Sequence, residues 1–329
     1  MRTFSYARPA DPATAVAAVL DNPEACFLAG GTNLVDLMRL GAARPTALVD
    51  ITHLGLDDVE ETPGGGLRIG ATVRNSDLAA HAAVRARYPA LARALLSGAS
   101  GQLRNMATTA GNLLQRTRCV YFQQIDLPCN KRDPGSGCPA HDGEHRDLAV
   151  VGHSAGCIAT HPGDLAVALA ALDAQVHIVG PAGPRALHVL DLYRLPGDRP
   201  QQDTVLQHGE LITAVVLPPP AANARSTYRK VRDRASFAFA VLSVAAVLEL
   251  REDVVVDMRL AWGGLAAKPW RAWSAEAELR GHRLDAEALH AAFEIELREA
   301  QPLPDNAFKV PLARRLAVHT LLELAGEQS

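Results

Sequence analysis

The sequence has no long apolar run, no basic tract and no apolar segment at its N-terminus. Its longest apolar stretch, residues 237–248, contains Ser243 and is too short to span a bilayer, so no transmembrane helix is expected. The 33 basic and 36 acidic residues give a formal net charge of -3. This balance excludes the electrostatic footprint of a nucleic-acid-binding protein or a polybasic membrane anchor. Residues 1–10 lack the apolar region of a signal peptide, so none is expected.

Cysteine is also scarce, and its distribution is uneven. Five cysteines in 329 residues are too few, and odd in number, for a disulfide scaffold. Cys26 stands alone, whereas Cys119, Cys129, Cys138 and Cys157 follow one another with gaps of nine, eight and eighteen residues. These gaps match neither a zinc knuckle nor the common ferredoxin spacings. The spacing alone therefore leaves three interpretations open: an iron-sulfur site, a zinc site or four unrelated thiols.

The length and composition predict a globular chain of two domains. The chain has 329 residues, 48% hydrophobic and 21% charged, and a single core usually stops growing below this length. Three prolines at residues 218–220 can continue neither a helix nor a central strand. We therefore predict one domain at residues 1–221 and a second at residues 222–329.

The first domain shows a pattern of strands and helices. An apolar run at residues 26–29 predicts a strand, and it ends in two glycines. A helical pattern follows and stops at Gly41, a typical helix C-terminus. Residues 47–51 and 67–69 predict two further strands.

The second domain is predicted to be α+β. Residues 254–262 alternate between apolar and more polar positions, which is typical of a half-buried antiparallel strand. Two helices then close the chain, one after the capping residue Asp285 and one through Leu312 and Leu321. Asp11 is placed to cap a helix near the start of the chain in the same way.

Two segments of the first domain offer backbone donors to a phosphate. Gly30, Gly31 and Thr32 lie between a predicted strand and a predicted helix, where N–H groups can approach a phosphate closely. Residues 108–112 again combine hydroxyls, a glycine and an amide. A tight structural turn is the alternative interpretation for either segment. Together the two segments suggest a pyrophosphate held from both sides.

A third motif points to a different class of function. The sequence Gly152-His153-Ser154-Ala155-Gly156 matches the nucleophile elbow of α/β hydrolases. That fold requires a long helix directly after the serine, but Pro162 and Gly163 interrupt the chain soon afterwards. A hydrolase that uses Ser154 is the alternative to a phosphate-containing cofactor site.

In the order of its motifs the chain resembles the FAD-binding subunits of the xanthine dehydrogenase and carbon monoxide dehydrogenase family of molybdenum hydroxylases. Residues 27–34 are similar to the family's first flavin loop, residues 108–112 to its second, and residues 161–164 to the start of the next helix. Residues 211–214 and 228–232 resemble later flavin contacts. The resemblance implies an α+β fold, with a two-part vanillyl-alcohol-oxidase-type (PCMH-like) FAD-binding domain before a smaller α+β CO-dehydrogenase-flavoprotein domain.

The resemblance also implies a set of residues that bind FAD. Backbone groups of the two loops would hold the pyrophosphate, Asp164 would accept hydrogen bonds from flavin hydroxyls, and Ile212 would pack on the ring system. Lys230 would place a cation near the isoalloxazine. Ala110 departs from the glycine of many relatives. The residues assigned to FAD are Cys26, Phe27, Leu28, Ala29, Gly30, Gly31, Thr32, Asn33, Leu34, Thr108, Thr109, Gly111, Asn112, Asp164, Ile212 and Lys230.

Residues 115–160 resemble an insertion that simple members of the family lack. It is similar to the insertion that carries a 4Fe-4S cluster in a subset of these subunits, among them those of bacterial periplasmic aldehyde oxidoreductases. The resemblance implies that one such cluster is held by four cysteines and that Cys26 is not among them. The four metal ligands so implied are Cys119, Cys129, Cys138 and Cys157.

The function implied by the resemblance is that of a subunit, with no catalytic residue of its own for the substrate. It would be the FAD and iron-sulfur electron-transfer subunit of a molybdenum-dependent aldehyde oxidoreductase, passing electrons from partner iron-sulfur centres through FAD to an external acceptor. The implied partners are a large molybdenum-cofactor subunit and a small 2Fe-2S subunit. A partner with a Tat signal would carry the chain to the periplasm, and otherwise it is expected in the cytoplasm.

Overall fold

The computed structural model describes residues 2–326 and places twelve strands in three sheets within that range. The strands are β1 (Ser5–Ala7), β2 (Ala25–Leu28), β3 (Ala47–Asp50), β4 (Val59–Glu61), β5 (Leu67–Gly70), β6 (Gln175–Gly180), β7 (Gly183–His188), β8 (Leu211–Leu217), β9 (Arg225–Val231), β10 (Leu242–Arg251), β11 (Val254–Gly263) and β12 (Trp270–Arg271). The α-helices are α1 (Pro12–Leu20), α2 (Leu34–Leu40), α3 (Asn75–Ala80), α4 (Ala82–Arg87), α5 (Pro89–Ser97), α6 (Gly101–Arg104), α7 (Thr109–Leu113), α8 (Val120–Gln123), α9 (Asp164–Ala171), α10 (Val189–Leu192), α11 (Trp273–Leu279), α12 (Ala286–Glu296) and α13 (Lys309–Ala325).

The first sheet is parallel, with strand order β1-β3-β2. Helix α1 begins as predicted, because the carboxylate of Asp11 accepts a hydrogen bond from the Thr14 N–H at 2.9 Å. Strand β2 leads through residues 29–33, the first loop, into α2. Gly41 ends that helix with a left-handed φ of 80°. The sheet thereby places the first loop at the carboxyl end of a parallel strand.

The second sheet is antiparallel, with strand order β4-β5-β8-β6-β7. Helix α9 is buried along its whole length, because it is apolar on every side apart from Asp164 at its first position. Its leucines share one hydrophobic core with the strands of the first two sheets. Residues 108–112, the second loop, are the N-cap and the first four residues of α7. They are joined to this core through Leu113.

The third sheet forms the C-terminal part, with strand order β12-β11-β10-β9. Helices α11, α12 and α13 pack against it, and the ring of Trp262 meets that of Phe293 edge to face at 5.4 Å. Helix α9 lies against β10 and β11 as well, so it belongs to both halves of the molecule. All three tryptophans of the chain, at positions 262, 270 and 273, lie in this C-terminal part.

The predicted division of the chain falls in the connection between β8 and β9. Residues 218–224 hold no helix or strand, and this connection includes the three prolines. At this connection the chain passes from the second sheet, which contains β8, to the third sheet, which contains β9. The domain boundary at residue 222 stays a prediction. Within residues 2–326 no helix is both long enough and apolar enough to cross a membrane.

The insertion has little regular structure beyond α8 and is held by side chains instead. Lys309 at the start of α13 is fully buried, and its Nζ donates to the carbonyl oxygens of Leu148 at 2.9 Å and Gly264 at 2.8 Å. Asn306 donates to the carbonyl oxygen of His145 at 3.2 Å. These bonds fasten the insertion to the C-terminal part of the fold.

Candidate functional site

A cavity of ≈ 470 Å³ lies between the first two sheets and the C-terminal part. We call it the interdomain cleft. Its walls come from the first loop, the second loop, the start of α9, strand β9 and residues 237–239. The segments that the sequence analysis assigned to a cofactor are therefore brought together, with the exceptions given below.

The first loop approaches the backbone before the second loop very closely. A Cβ atom on Gly30 would overlap the carbonyl oxygen of Met106, so only glycine fits there. Gly31 has a φ of 73°, which also favours glycine. Asn33 accepts a hydrogen bond from the backbone N–H of Arg116 at 3.0 Å, whereas its buried Nδ2 finds no partner among residues 2–326. Close backbone approach and an unpaired amide donor both suit a bound anionic group.

The second loop divides between structure and site. Thr108 caps α7 by accepting a hydrogen bond from the Gly111 N–H at 3.3 Å, and Thr109 donates to the Val73 carbonyl oxygen at 3.1 Å. Both threonines are buried, and their hydroxyls are engaged within the protein. Gly111 and Asn112 line the cleft. Gly111 and Asn112 are therefore placed to contact a ligand in the cleft, whereas the two threonine hydroxyls stabilise the local structure.

An ion pair joins the two halves of the molecule at the floor of the cleft. Lys230 on β9 donates to Asp164 at 2.8 Å and to the Ser97 carbonyl oxygen at 3.1 Å, and its side chain is 3% exposed. The hydroxyl of Tyr228 donates to the other oxygen of Asp164. Burial and the neighbouring carboxylate raise the pKa of Tyr228, which keeps it a donor at neutral pH.

Charge in the cleft is predominantly positive. Its lining includes four cationic side chains against two carboxylates, an excess of two positive charges. Such an excess suits a ligand group with two negative charges, such as a pyrophosphate. The sequence analysis singled out two of these six residues, Lys230 and Asp164, each from the family resemblance. The lining residues that carry charge are Asp36, Arg39, Arg104, Arg118, Asp164 and Lys230.

Several residues assigned from the resemblance lie away from the cleft lining. Ile212 is 1% exposed on β8 and belongs to the hydrophobic core, so its side chain does not reach the cleft. From the first loop, residues 31–33 line the cleft, whereas Gly30 lies behind them. Cys26, Phe27 and Leu28 belong to strand β2. Ala29 precedes the glycines and Leu34 begins α2, both outside the cleft lining.

The four clustered cysteines converge on a separate small cavity, which we call the cysteine nest. Cys119, Cys129, Cys138 and Cys157 all line it, and three of them are buried. Burial raises the pKa of the Cys119 thiol to about 11. The backbone N–H of Ala159 donates to the sulfur of Cys157 at 3.4 Å. The structure therefore gathers the four thiols that the sequence singled out.

The nest does not have the geometry of a site for a single metal ion. Across residues 2–326 no three His, Cys, Asp or Glu side chains are grouped so that they could hold one ion. In a 4Fe-4S cluster each cysteine binds a different iron, so its four thiolates stand further apart than the ligands of one ion. Cys26 lies on β2 and takes no part in the nest.

The geometry around Ser154 does not support the hydrolase alternative. Ser154 forms an isolated bridge with Cys157, and its hydroxyl accepts a hydrogen bond from the Gly156 N–H at 3.2 Å. His153 contacts the carbonyl oxygen of Gln301 at 2.8 Å instead of the serine. Residues 152–163 contain no helix, so the supporting element of a nucleophile elbow is missing from this segment.

Comparison with known protein families decides between these interpretations. Residues 2–220 match the family model for the FAD-binding domain in molybdopterin dehydrogenase. The chain belongs to that family. Residues 226–324 match the model for the CO dehydrogenase flavoprotein C-terminal domain. The prediction of a flavoprotein with an α+β fold, belonging to the molybdenum hydroxylases, is confirmed.

Individual members of this family are similar to the chain over nearly its full length. The aldehyde oxidoreductase FAD-binding subunit PaoB of Escherichia coli is 52% identical, over 99% of this chain and 100% of that protein. The glyceraldehyde dehydrogenase medium chain of Sulfolobus acidocaldarius is 26% identical, over 86% of this chain and 83% of that protein. A solved carbon monoxide dehydrogenase from Hydrogenophaga pseudoflava, 24% identical, shares the fold with a TM-score of 0.76 and covers 100% of this chain and 99% of its own.

Proposed function

We propose that this chain is the FAD-binding electron-transfer subunit of a molybdenum-dependent aldehyde oxidoreductase. The observation that carries the proposal is the interdomain cleft, with its two loops and its excess of positive charge. The choice of aldehyde as substrate of the complex rests on the similarity to the Escherichia coli subunit. When bound, FAD supplies the redox chemistry, because it accepts and releases electrons one or two at a time.

The residues of the cleft bind and orient the cofactor. Backbone donors of residues 31–33 hold the pyrophosphate, and the Nδ2 donor of Asn33 contributes to this contact. Gly111 and Asn112 line the same cleft, but their backbone N–H groups donate to Thr108. Lys230 supplies a fixed positive charge at the floor of the cleft, and Asp164 keeps that charge in place. A fixed cation stabilises negative charge that arrives on a neighbouring group in a low-dielectric site.

The partners of the chain are part of the same proposal. Electrons come from a small 2Fe-2S subunit, which receives them from a large molybdenum-cofactor subunit, and leave for an external acceptor. The similarity to subunits of multi-subunit dehydrogenases supports this arrangement. If a partner carries a Tat signal, this folded subunit is exported with it to the periplasm.

Anaerobic mixing of the purified, FAD-loaded chain with an aromatic aldehyde tests the division of labour. We expect the flavin absorption near 450 nm to stay unchanged without partners, since substrate oxidation belongs to the molybdenum subunit, and to bleach on their addition. Bleaching at a catalytic rate by the chain alone would place the substrate chemistry here and overturn the proposal. Hydrolysis of p-nitrophenyl esters that is lost in Ser154→Ala would instead support the hydrolase.

We further propose that the cysteine nest holds one 4Fe-4S cluster. The convergence of four thiols from a loop-rich insertion supports this, and their protons would be displaced by iron. Lys131 lines the nest, and its side chain is 3% exposed and pairs with Asp203. Its positive charge would partly balance the negative charge of thiolates that bind iron.

Iron content after anaerobic purification tests the cluster. Replacing any of Cys119, Cys129, Cys138 or Cys157 with Ser should abolish the roughly four irons per chain that a complete cluster contributes. Cys26→Ser is the matched control, because Cys26 is a half-buried cysteine outside the nest, and its iron content should equal that of the wild type. Zinc in place of iron, or no metal in the wild-type chain, would overturn this assignment.

A further inference from the structure

Arg118 is a charged residue of the insertion whose side chain lies in the interdomain cleft. In sequence it directly precedes Cys119, one of the four cysteines of the nest. In space its side chain lines the cleft together with the first loop, and its exposed fraction is 22%. It therefore connects the two candidate cofactor sites of the molecule.

The guanidinium group of Arg118 is only partly compensated by its surroundings. One nitrogen, Nη1, contacts the carboxylate of Asp36 at 3.4 Å, and the group stacks on the ring of Phe239 at 4.9 Å. Its Nε is buried and finds no hydrogen-bond partner in the described part of the chain. An arginine carries five N–H donors, and a half-buried guanidinium with so few protein acceptors is only partly stabilised. An anionic ligand in the cleft would satisfy the remaining donors.

The backbone before Arg118 is fastened to the first loop. The N–H of Arg116 donates to Asn33 at 3.0 Å, and Asn33 keeps a second buried donor, Nδ2, without a partner in residues 2–326. The unsatisfied donors of Asn33 and Arg118 thus belong to one assembly beside the first loop. In oxidised FAD the pyrophosphate is the only charged group, and arginine binds phosphate oxygens through parallel N–H donors.

Helix α2 joins this assembly to the cysteine nest. Asp36 on α2 contacts Arg118, and the next residue, Leu37, is buried in the hydrophobic cluster that contains three of the nest cysteines. Cys119 belongs to the same cluster and is 8% exposed. A change in the nest can therefore reach Arg118 by two routes: through Cys119, the next residue in the chain, and through Asp36, its ion-pair partner on α2.

We propose that Arg118 binds the pyrophosphate of FAD and that the cysteine nest holds it in position, so that FAD affinity depends on an intact nest. This rests on the proposed function, because it takes FAD as the ligand of the cleft. The link is reciprocal: a nest that stabilises the bound position of Arg118 is itself stabilised when FAD binds.

Titration of FAD into the flavin-stripped full chain, followed by quenching of flavin fluorescence, tests the contact. Arg118→Gln should raise the Kd roughly tenfold to a hundredfold, the range for a lost charge-assisted hydrogen bond, and Arg118→Lys should restore part of the affinity. Riboflavin, which has no phosphate, should bind the wild-type chain and Arg118→Gln with the same affinity. Arg85→Gln, an exposed arginine on α4, is the control and should leave the Kd unchanged. Equal FAD affinity in Arg118→Gln and Arg85→Gln overturns the proposal, whereas a wild-type chain that binds no FAD overturns the function itself.

A double-mutant cycle tests the link to the nest. Cys119→Ser should raise the Kd for FAD in the wild-type background and add little in the Arg118→Gln background. If Cys119→Ser does not fold, Cys138→Ser takes its place, since Cys138 is the half-buried member of the nest. An equal effect in both backgrounds, or no effect in either, shows that the nest does not act through Arg118.

Discussion

Individual residues of the site differ in how far the sequence foretells them. The first loop was predictable because two glycines between a strand and a helix form a local pattern, and Gly31 does take a left-handed φ of 73°. Asp36 and Arg118 were not, because their pairing joins positions 82 residues apart. The pairing of Lys230 with Asp164 was likewise out of reach, although both residues had been singled out. Long-range ion pairs leave no periodic signal in a sequence.

At the residue scale we expect Asp164→Asn to destabilise the protein strongly. The change leaves the ammonium of Lys230 buried without its carboxylate, which costs about 3 kcal/mol in comparable cases. Urea denaturation followed by far-UV circular dichroism measures the change. Tyr228→Phe is the matched control, because it removes only the second hydrogen bond to Asp164 and should cost less, about 1.5 kcal/mol. Equal midpoints for both variants and the wild type would contradict this expectation.

Among the elements, those with a cap or a clear period were predicted correctly. Helix α1 with its cap Asp11 and strand β11 with its alternation are confirmed. Helices α3, α4 and α5, and the short α11, were not predicted, since their alanine-rich or short sequences show a weak period and are fixed by packing on neighbours. The insertion has little regular structure beyond α8, because its glycines and prolines interrupt both the helical and the strand pattern.

At the element scale the first loop tolerates no side chain at its first glycine. We expect Gly30→Ala to push the loop away from the Met106 carbonyl, lowering stability by about 1–3 kcal/mol and weakening FAD binding at least tenfold. Fluorescence titration with FAD and urea denaturation measure the two effects. Gly64→Ala is the control, because a Cβ there meets no atom within 4 Å and neither property should change. Unchanged FAD affinity in Gly30→Ala would show that the close approach is unnecessary.

Over the whole molecule, a charge network centred on Asp173 holds the two halves together. Asp173 follows α9 and contacts Arg271 at 2.7 Å and Arg259 at 3.0 Å, both from the C-terminal sheet, and His188 at 3.5 Å. Burial alone would raise the pKa of Asp173, but the hydrogen bond from His188 and the charges of the two arginines lower it well below its usual range.

This network makes stability depend on pH at the acidic end. Because the pKa of Asp173 is depressed in the folded state, its contribution is present above the unfolded pKa of about 4 and is lost as the pH falls below that value. We expect Asp173→Asn to lower the free energy of unfolding at pH 7 by about 1 kcal/mol, because solvent screens a carboxylate that is 35% exposed, and to reduce the acid sensitivity, as measured by urea midpoints between pH 7 and 3. Asp253→Asn, whose pair with Arg283 is exposed, is the control and should change little. Identical pH profiles for wild type and Asp173→Asn would argue against the network.

The placement of the tryptophans gives the molecule two optical signals from different parts of the fold. All three indoles lie in the C-terminal part, on or next to strands β11 and β12, and Trp262 is wholly buried there against Phe293. Indole emission therefore reports on the melting of that part, while flavin emission reports on the opening of the cleft. If tryptophan and flavin fluorescence are recorded together during stopped-flow unfolding, the two traces show whether the cofactor is released before or after the C-terminal core unfolds.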